Sequence, residues 1–197
     1  MQKKVALKKV YLVGAALLSL IIIVIGGVMT SVNSQRAGTP SLQADEISDL
    51  LLILRDTKVR EQDPQRLTKA IERIGELKAP AAVEDLVQLI TYNRKFEWER
   101  DDVINEIRLI TIGNRYPAIS ALSQIGKPSL PAVIKVVKTH EIGSVESENA
   151  VFVVQTIFRE HLSEGIDYLK EAASVASSPE EVQRLLNAAE VLNKRAK

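Results

Sequence analysis

From Asp45 to its C-terminus this chain carries apolar residues three or four apart, interrupted by Pro and Gly, and one such pattern occurs twice in the same register. Ala70, Ile71, Ile74, Leu77, Pro80, Leu86 and Leu89 recur 48 positions later as Ala118, Ile119, Leu122, Ile125, Pro128, Ile134 and Val137. An apolar run of helical period, a Pro break and a second such run describe one helix–turn–helix unit. Its repetition predicts an all-α fold, a short α-solenoid of antiparallel helix pairs. No stretch alternates long enough to demand a strand.

The individual elements follow from the same spacing. Ile47, Leu50, Leu51 and Leu54 predict an amphipathic helix from Asp45 to about Lys58, placed to cap the N-terminal end of the stack. Asp63-Pro64 is a helix start, with Asp as N-cap and Pro in the first helical position. That helix runs to about Leu77 on Leu67, Ala70, Ile71 and Ile74, and Pro80 opens its partner, which buries Val83, Leu86, Val87 and Ile90. The second unit begins near Tyr116-Pro117, turns at Gly126-Lys127-Pro128 and continues to about Thr139. Between the units, Val103, Ile104, Ile107 and Ile110 predict a short extra helix over Asp101–Ile110, ended or turned at Gly113-Asn114. Further helices are expected from Glu146 to His161, from Ser163 as a cap to about Ala176, and from Ser178 to about Lys194. The last opens on a capping box, Ser178-Pro179-Glu180-Glu181, and its stripe is Val182, Leu185, Leu186, Ala189 and Leu192.

The N-terminal segment is of another kind. Lys3, Lys4, Lys8 and Lys9 precede an uncharged apolar run from about Val10 to Met29. As a helix, such a run spans roughly 30 Å of hydrocarbon. Lysines before it, with Arg36, Asp45 and Glu46 after it, favour a cytoplasmic N-terminus and a domain outside the membrane, periplasmic or extracellular. The run is either an uncleaved single-pass anchor or a signal peptide cut near Ser34, which would release a secreted domain. Its length exceeds the roughly 7–15 residues of a signal-peptide apolar region, which favours the anchor. Gly14, Ala15 and Ser19 give the helix a small-residue side suited to close packing against another membrane helix. Residues 1–34 are thus assigned to anchor or signal, 35–44 to a tether and 45–197 to the helical domain.

Composition narrows the chemistry. The chain has no Cys, which removes disulfides and thiolate metal sites. Beyond Gln35 it carries 22 basic residues (the 26 of the whole chain less the four N-terminal lysines) against 25 acidic ones, net −3. A near-neutral domain without a basic stripe does not point to nucleic acid. The two histidines, His140 and His161, stand at expected helix ends, where a cation suits the last carbonyls. Asp101-Asp102, Glu97, Glu99 and Glu180-Glu181 alternate with cations or open helices, so no acid–base pair converges on a cleft. The serines lack a nucleophile-elbow setting, and there is no Gly-rich phosphate loop. We expect no catalytic residues, no metal and no cofactor.

One segment is chemically distinctive. Tyr92, Arg94, Phe96, Trp98 and Arg100 bring three of the eight aromatic residues, including the single Trp, into the interval between the repeated units. Aromatics and Arg dominate interface energies, so these five residues are the candidate protein-binding ridge. The other reading is that Phe96 and Trp98 fill the gap left by an irregular step between units. Trp98→Ala separates the two, since a packed Trp costs roughly 3–5 kcal/mol when truncated and a binding Trp lowers partner affinity instead. A second group, Lys127, Lys135, Lys138 and His140, is read as a solvated face.

Arg115 to Val137, RYPAISALSQIGKPSLPAVIKVV, resembles a HEAT repeat of the kind found in many bacterial and phycobilin-lyase-like proteins: a small-apolar first helix, an Ile-Gly turn, then Pro, Leu and Pro opening the second helix. Ala70 to Ile90 is a weaker copy, with Lys78 in place of the turn Gly and Val83 in place of the second Pro. The resemblance implies a curved stack of helix pairs whose inner face binds another macromolecule. The expected role is a non-enzymatic protein–protein scaffold or an accessory subunit of a membrane-associated complex. Its alternative is a lyase or chaperone-like protein acting on a small ligand or a cofactor-bearing partner.

Overall fold

Helix starts are written into this sequence as short polar residues followed by Pro or a charged turn, and the folded chain uses several of them. The computed structural model describes residues 40–94 and 112–195, all of which form helices and their connections, with no strand among them. The chain divides into two compact units, Met1–Glu46 and Ile47–Lys197. Of the first, the described part is the opening of a helix. The predicted segment Val10–Met29, with Gly14, Ala15 and Ser19, lies outside the described residues. So do Phe96, Trp98, Arg100 and the expected Asp101–Ile110 helix. Among the described residues no helix is long and apolar enough to cross a membrane.

Ten α-helices are described: α1 (Pro40–Arg55), α2 (Thr57–Gln62), α3 (Pro64–Glu76), α4 (Val83–Gln88), α5 (Ile112–Arg115), α6 (Pro117–Ile125), α7 (Leu130–Thr139), α8 (Val145–Ile157), α9 (Leu162–Ser174) and α10 (Pro179–Arg195). The first begins five residues before the expected start at Asp45, because Pro40 is tolerated at a helix opening, where its missing N–H has no partner to lose. It also stops earlier than expected. Asp56 turns the chain and its carboxylate accepts the Lys58 N–H at 2.8 Å, so a separate short helix starts there. Asp63 caps α3 as expected, accepting the Arg66 N–H at 3.0 Å.

Five pairs of the 48-residue echo are buried alike, while Leu77 is half-buried where Ile125 is buried. Ala70, Ile71, Ile74, Leu86 and Leu89 are buried, as are Ala118, Ile119, Leu122, Ile134 and Val137. Each unit passes from its first helix through a 3-10 turn, Pro80–Ala82 or Lys127–Ser129, into its second. The chain reverses through a left-handed residue in both: Gly126 at φ +79° and Lys78 at φ +48°. Lys78 therefore takes a positive φ where the other copy has Gly, at a cost of about 1–2 kcal/mol for a residue with a Cβ. Gly113 and Asn114, expected to end a helix or turn the chain, instead form the helical turn α5. With α6 it occupies the register of α3, broken only at Tyr116-Pro117.

The helices of the compact unit Ile47–Lys197 pack in a definite order: α3 along α6, α6 along α8, α4 on α6 and α7, α7 along α8 and α10, and α9 against α10. One continuous apolar core runs through them. The tightest approach is between α3 and α6. A methyl group placed on Gly75 would lie 2.9 Å from Ala121 Cα and 3.2 Å from its Cβ. Only a residue without a side chain lets the two first helices come this close.

Later boundaries shift by a few residues. Helix α8 ends at Ile157, so His161 stands before α9 rather than at the end of α8, and Ser163 lies inside α9 instead of capping it. In α10, Leu185, Ala188, Ala189 and Leu192 are buried while Leu186 is 44 % exposed, because it stands about 100° around the helix from Leu185. The capping box at its start forms. The Ser178 hydroxyl accepts the Glu181 N–H at 3.2 Å, and the Glu181 carboxylate reaches back to the Ser177 N–H at 3.1 Å. Glu180 is held below the usual carboxylate range by its own backbone N–H and then by the Ser178 hydroxyl.

Gly75→Ala gives a clean test of the α3–α6 contact. Helix propensity alone would stabilise α3 by about 1 kcal/mol. Forcing a methyl against a backbone atom costs about 1–3 kcal/mol, so net destabilisation is expected in urea unfolding of the chain. A gain in stability would show that the helices are free to separate.

Candidate functional site

Two of the five residues of the expected binding ridge are described, and both are tied into the fold. Tyr92 is half-buried against the core, and its hydroxyl donates to the Pro64 carbonyl at 3.1 Å. That carbonyl also accepts the Thr68 hydroxyl at 2.9 Å. The Arg94 guanidinium donates to Glu72 at 3.0 Å, and its backbone N–H donates to the Arg115 carbonyl at 2.9 Å. Arg94 and Arg115, on either side of residues 95–111, are thus hydrogen-bonded neighbours. Tyr92 and Arg94 fix the place where the chain leaves and rejoins the described helices.

The joint is reinforced from a distance. Asn149, on α8 and 5 % exposed, donates through its amide to the Ile90 carbonyl at 2.8 Å. Ile90 follows the end of α4, where helix carbonyls have no partner of their own. The side chain of α8 therefore closes the end of the first unit. Two other joints are held in the same way. Arg184 of α10 donates to the Lys138 carbonyl near the end of α7 at 2.6 Å. The buried Ser129 hydroxyl bonds the Leu122 and Gly126 carbonyls at 3.0 and 2.8 Å. None of these three was singled out from the sequence.

The histidines and Lys127 have local partners. His140 ends α7, with Nδ1 3.0 Å from the Val136 carbonyl, and serves as a helix cap. The His161 carbonyl accepts the Glu164 N–H at 2.9 Å at the start of α9. Among the described residues no group of three His, Cys, Asp or Glu side chains is placed to hold a metal ion. The Lys127 ammonium lies 5.6 Å from the centre of the Phe158 ring and 3.8 Å from the Glu164 carboxylate.

Two grooves mark the surface. One, of about 490 Å³, runs between α1 and α3, with Leu50, Ile53 and Ala70 as its apolar floor and Arg66, Lys69 and Arg73 along its side. The other, of about 540 Å³, lies between α6 and α8 and is lined by Ser120, Gln124, Phe152, Gln155, Thr156 and Arg159. Ser123 also faces it, and its hydroxyl is buried without a hydrogen-bond partner.

Asn149→Leu tests the joint next to the expected ridge. Leaving the Ile90 carbonyl unsatisfied should cost about 1–3 kcal/mol in urea unfolding. A change of only a few tenths would mean that water takes over the bond.

The chain matches no protein-family model, no characterised protein and no solved structure.

Proposed function

We propose that this chain is a non-enzymatic protein–protein interaction module, a short HEAT-like solenoid that presents its stacked helices to a partner. The observation that carries this reading is the repetition of burial at 48-residue spacing in five pairs of positions, with α3 packed on α6 through Gly75. Units that stack in a fixed register display a rigid, periodic surface, and such surfaces bind extended partners. The groove between consecutive first helices α6 and α8 supports the same reading, since Phe152 and Arg159 are of the residue types that anchor interfaces. In the fuller form of the proposal, the segment Val10–Met29 anchors the module in the cytoplasmic membrane. The helical domain then lies outside, as an accessory subunit of a membrane complex.

Mild crosslinking in cells, purification through a C-terminal tag and mass spectrometry of the eluate test this. One or two membrane proteins should be recovered in constant ratio with a chain that retains its apolar N-terminus. Phe152→Ala together with Arg159→Ala should reduce that recovery about tenfold or more, as loss of two interface anchors does. Recovery of the chain alone, beginning at Gln35, contradicts the anchored form. Turnover of a small ligand by the purified chain contradicts the non-enzymatic one.

A further inference from the structure

We propose that copies of this chain associate head to tail, the basic face of α3 in one copy docking on the acidic face of α9 in the next. Arg66, Lys69 and Arg73 are exposed on α3 at steps of three and four residues, so they form one stripe. Glu164, Asp167 and Glu171 are exposed on α9 with the same steps. Each stripe therefore extends about 10 Å along its helix, and the two laid alongside bring three carboxylates opposite three cations.

Two charges on each face are unpaired: among the described residues Arg66, Lys69, Asp167 and Glu171 make no side-chain ion pair. Arg73 is shared with Glu76 at 2.9 Å, and Glu164 meets Lys127 at only 3.8 Å. The one acidic residue lining the α1–α3 groove, Asp63, already accepts the Arg66 backbone N–H. The groove is thus basic at its side and apolar at its floor.

Exposed ion pairs alone contribute little to affinity, so an apolar component is needed. It is present on both sides. The floor of the basic groove is Leu50, Ile53 and Ala70. Beside the acidic stripe, Val175 is 73 % exposed and Tyr168 is half-buried.

In packing order α6 and α8 stand between α3 and α9, so the two faces belong to different surfaces of one domain. A contact between unlike faces leaves one of each unfilled in a pair. It therefore builds rings or open chains of copies rather than a closed dimer. Homotypic stacking goes beyond the scaffold reading, and its failure leaves that reading to its own copurification test.

The absence of Cys allows a direct experiment on the full chain in detergent solution. A Lys69→Cys chain mixed with an Asp167→Cys chain, treated with a short thiol crosslinker at low salt, should give the mixed 69–167 dimer well above either homodimer. Arg66→Glu/Lys69→Glu and Asp167→Lys/Glu171→Lys should each lower concentration-dependent self-association in sedimentation about tenfold, and raising the salt should weaken the unaltered chain likewise. Mixing the two reversed chains should restore association, because each then supplies a face complementary to the other. Equal yields of all three dimers, or no rescue on mixing, overturn the proposal. So does a mass independent of concentration while the basic-face variant loses binding to anionic phosphatidylglycerol vesicles, which would assign the α3 stripe to lipid.

Discussion

The close approach of α3 and α6 is the contact on which the rest of the domain depends. Two helices that meet backbone to side chain at Gly75 and Ala121 cannot slide or rotate without either opening a void or forcing atoms together. Their register is therefore fixed, and it places Ile71 and Ile74 beside Ile119 and Leu122 in one core. Each first helix is followed by a residue of positive φ, Lys78 or Gly126, and the two second helices α4 and α7 pack against each other. Lys78 holds a conformation that is unfavourable for it, which shows that the packing of the unit outweighs the local preference of one residue.

Helix ends are where such a stack would otherwise fail, because each leaves carbonyls without partners. The domain answers with side chains reaching from other elements. Asn149 closes the end of the first unit, Arg184 the end of α7, and Ser129 the turn between α6 and α7. Two of these bonds connect residues 59 and 46 positions apart, so they link separate units and make the joints part of the core. The Arg55 guanidinium adds a two-pronged bond to Asp85, at 3.0 Å to each oxygen, tying α1 to α4.

Much of this was legible in the sequence because it rests on local rules. The 48-residue echo, the Asp63-Pro64 start and the capping box at Ser178 each follow from periodicity or from one residue serving one backbone group. What escaped was set by distant partners. Asn149 looks like any polar helix residue until the Ile90 carbonyl is placed beside it. Leu186 looked buried until the face of α10 was fixed by Leu185 and Leu192. The expected ridge divided for the same reason. Its described residues, Tyr92 and Arg94, bond to α3, a helix more than twenty residues earlier. The grooves lie between elements far apart in sequence, so neither could be read from spacing alone.

The central claim is that α3, α6 and α8 pack as one cooperative unit, as the proposed stack of repeats requires. Native-state hydrogen exchange on a chain carrying Leu122→Ala tests it most directly, since that change lies in α6 and alters no residue of α3 or α8. The account predicts that amide protection falls together in α3, α6 and α8, as in a single cooperative unit. Protection lost in α6 while α3 and α8 keep theirs would contradict it.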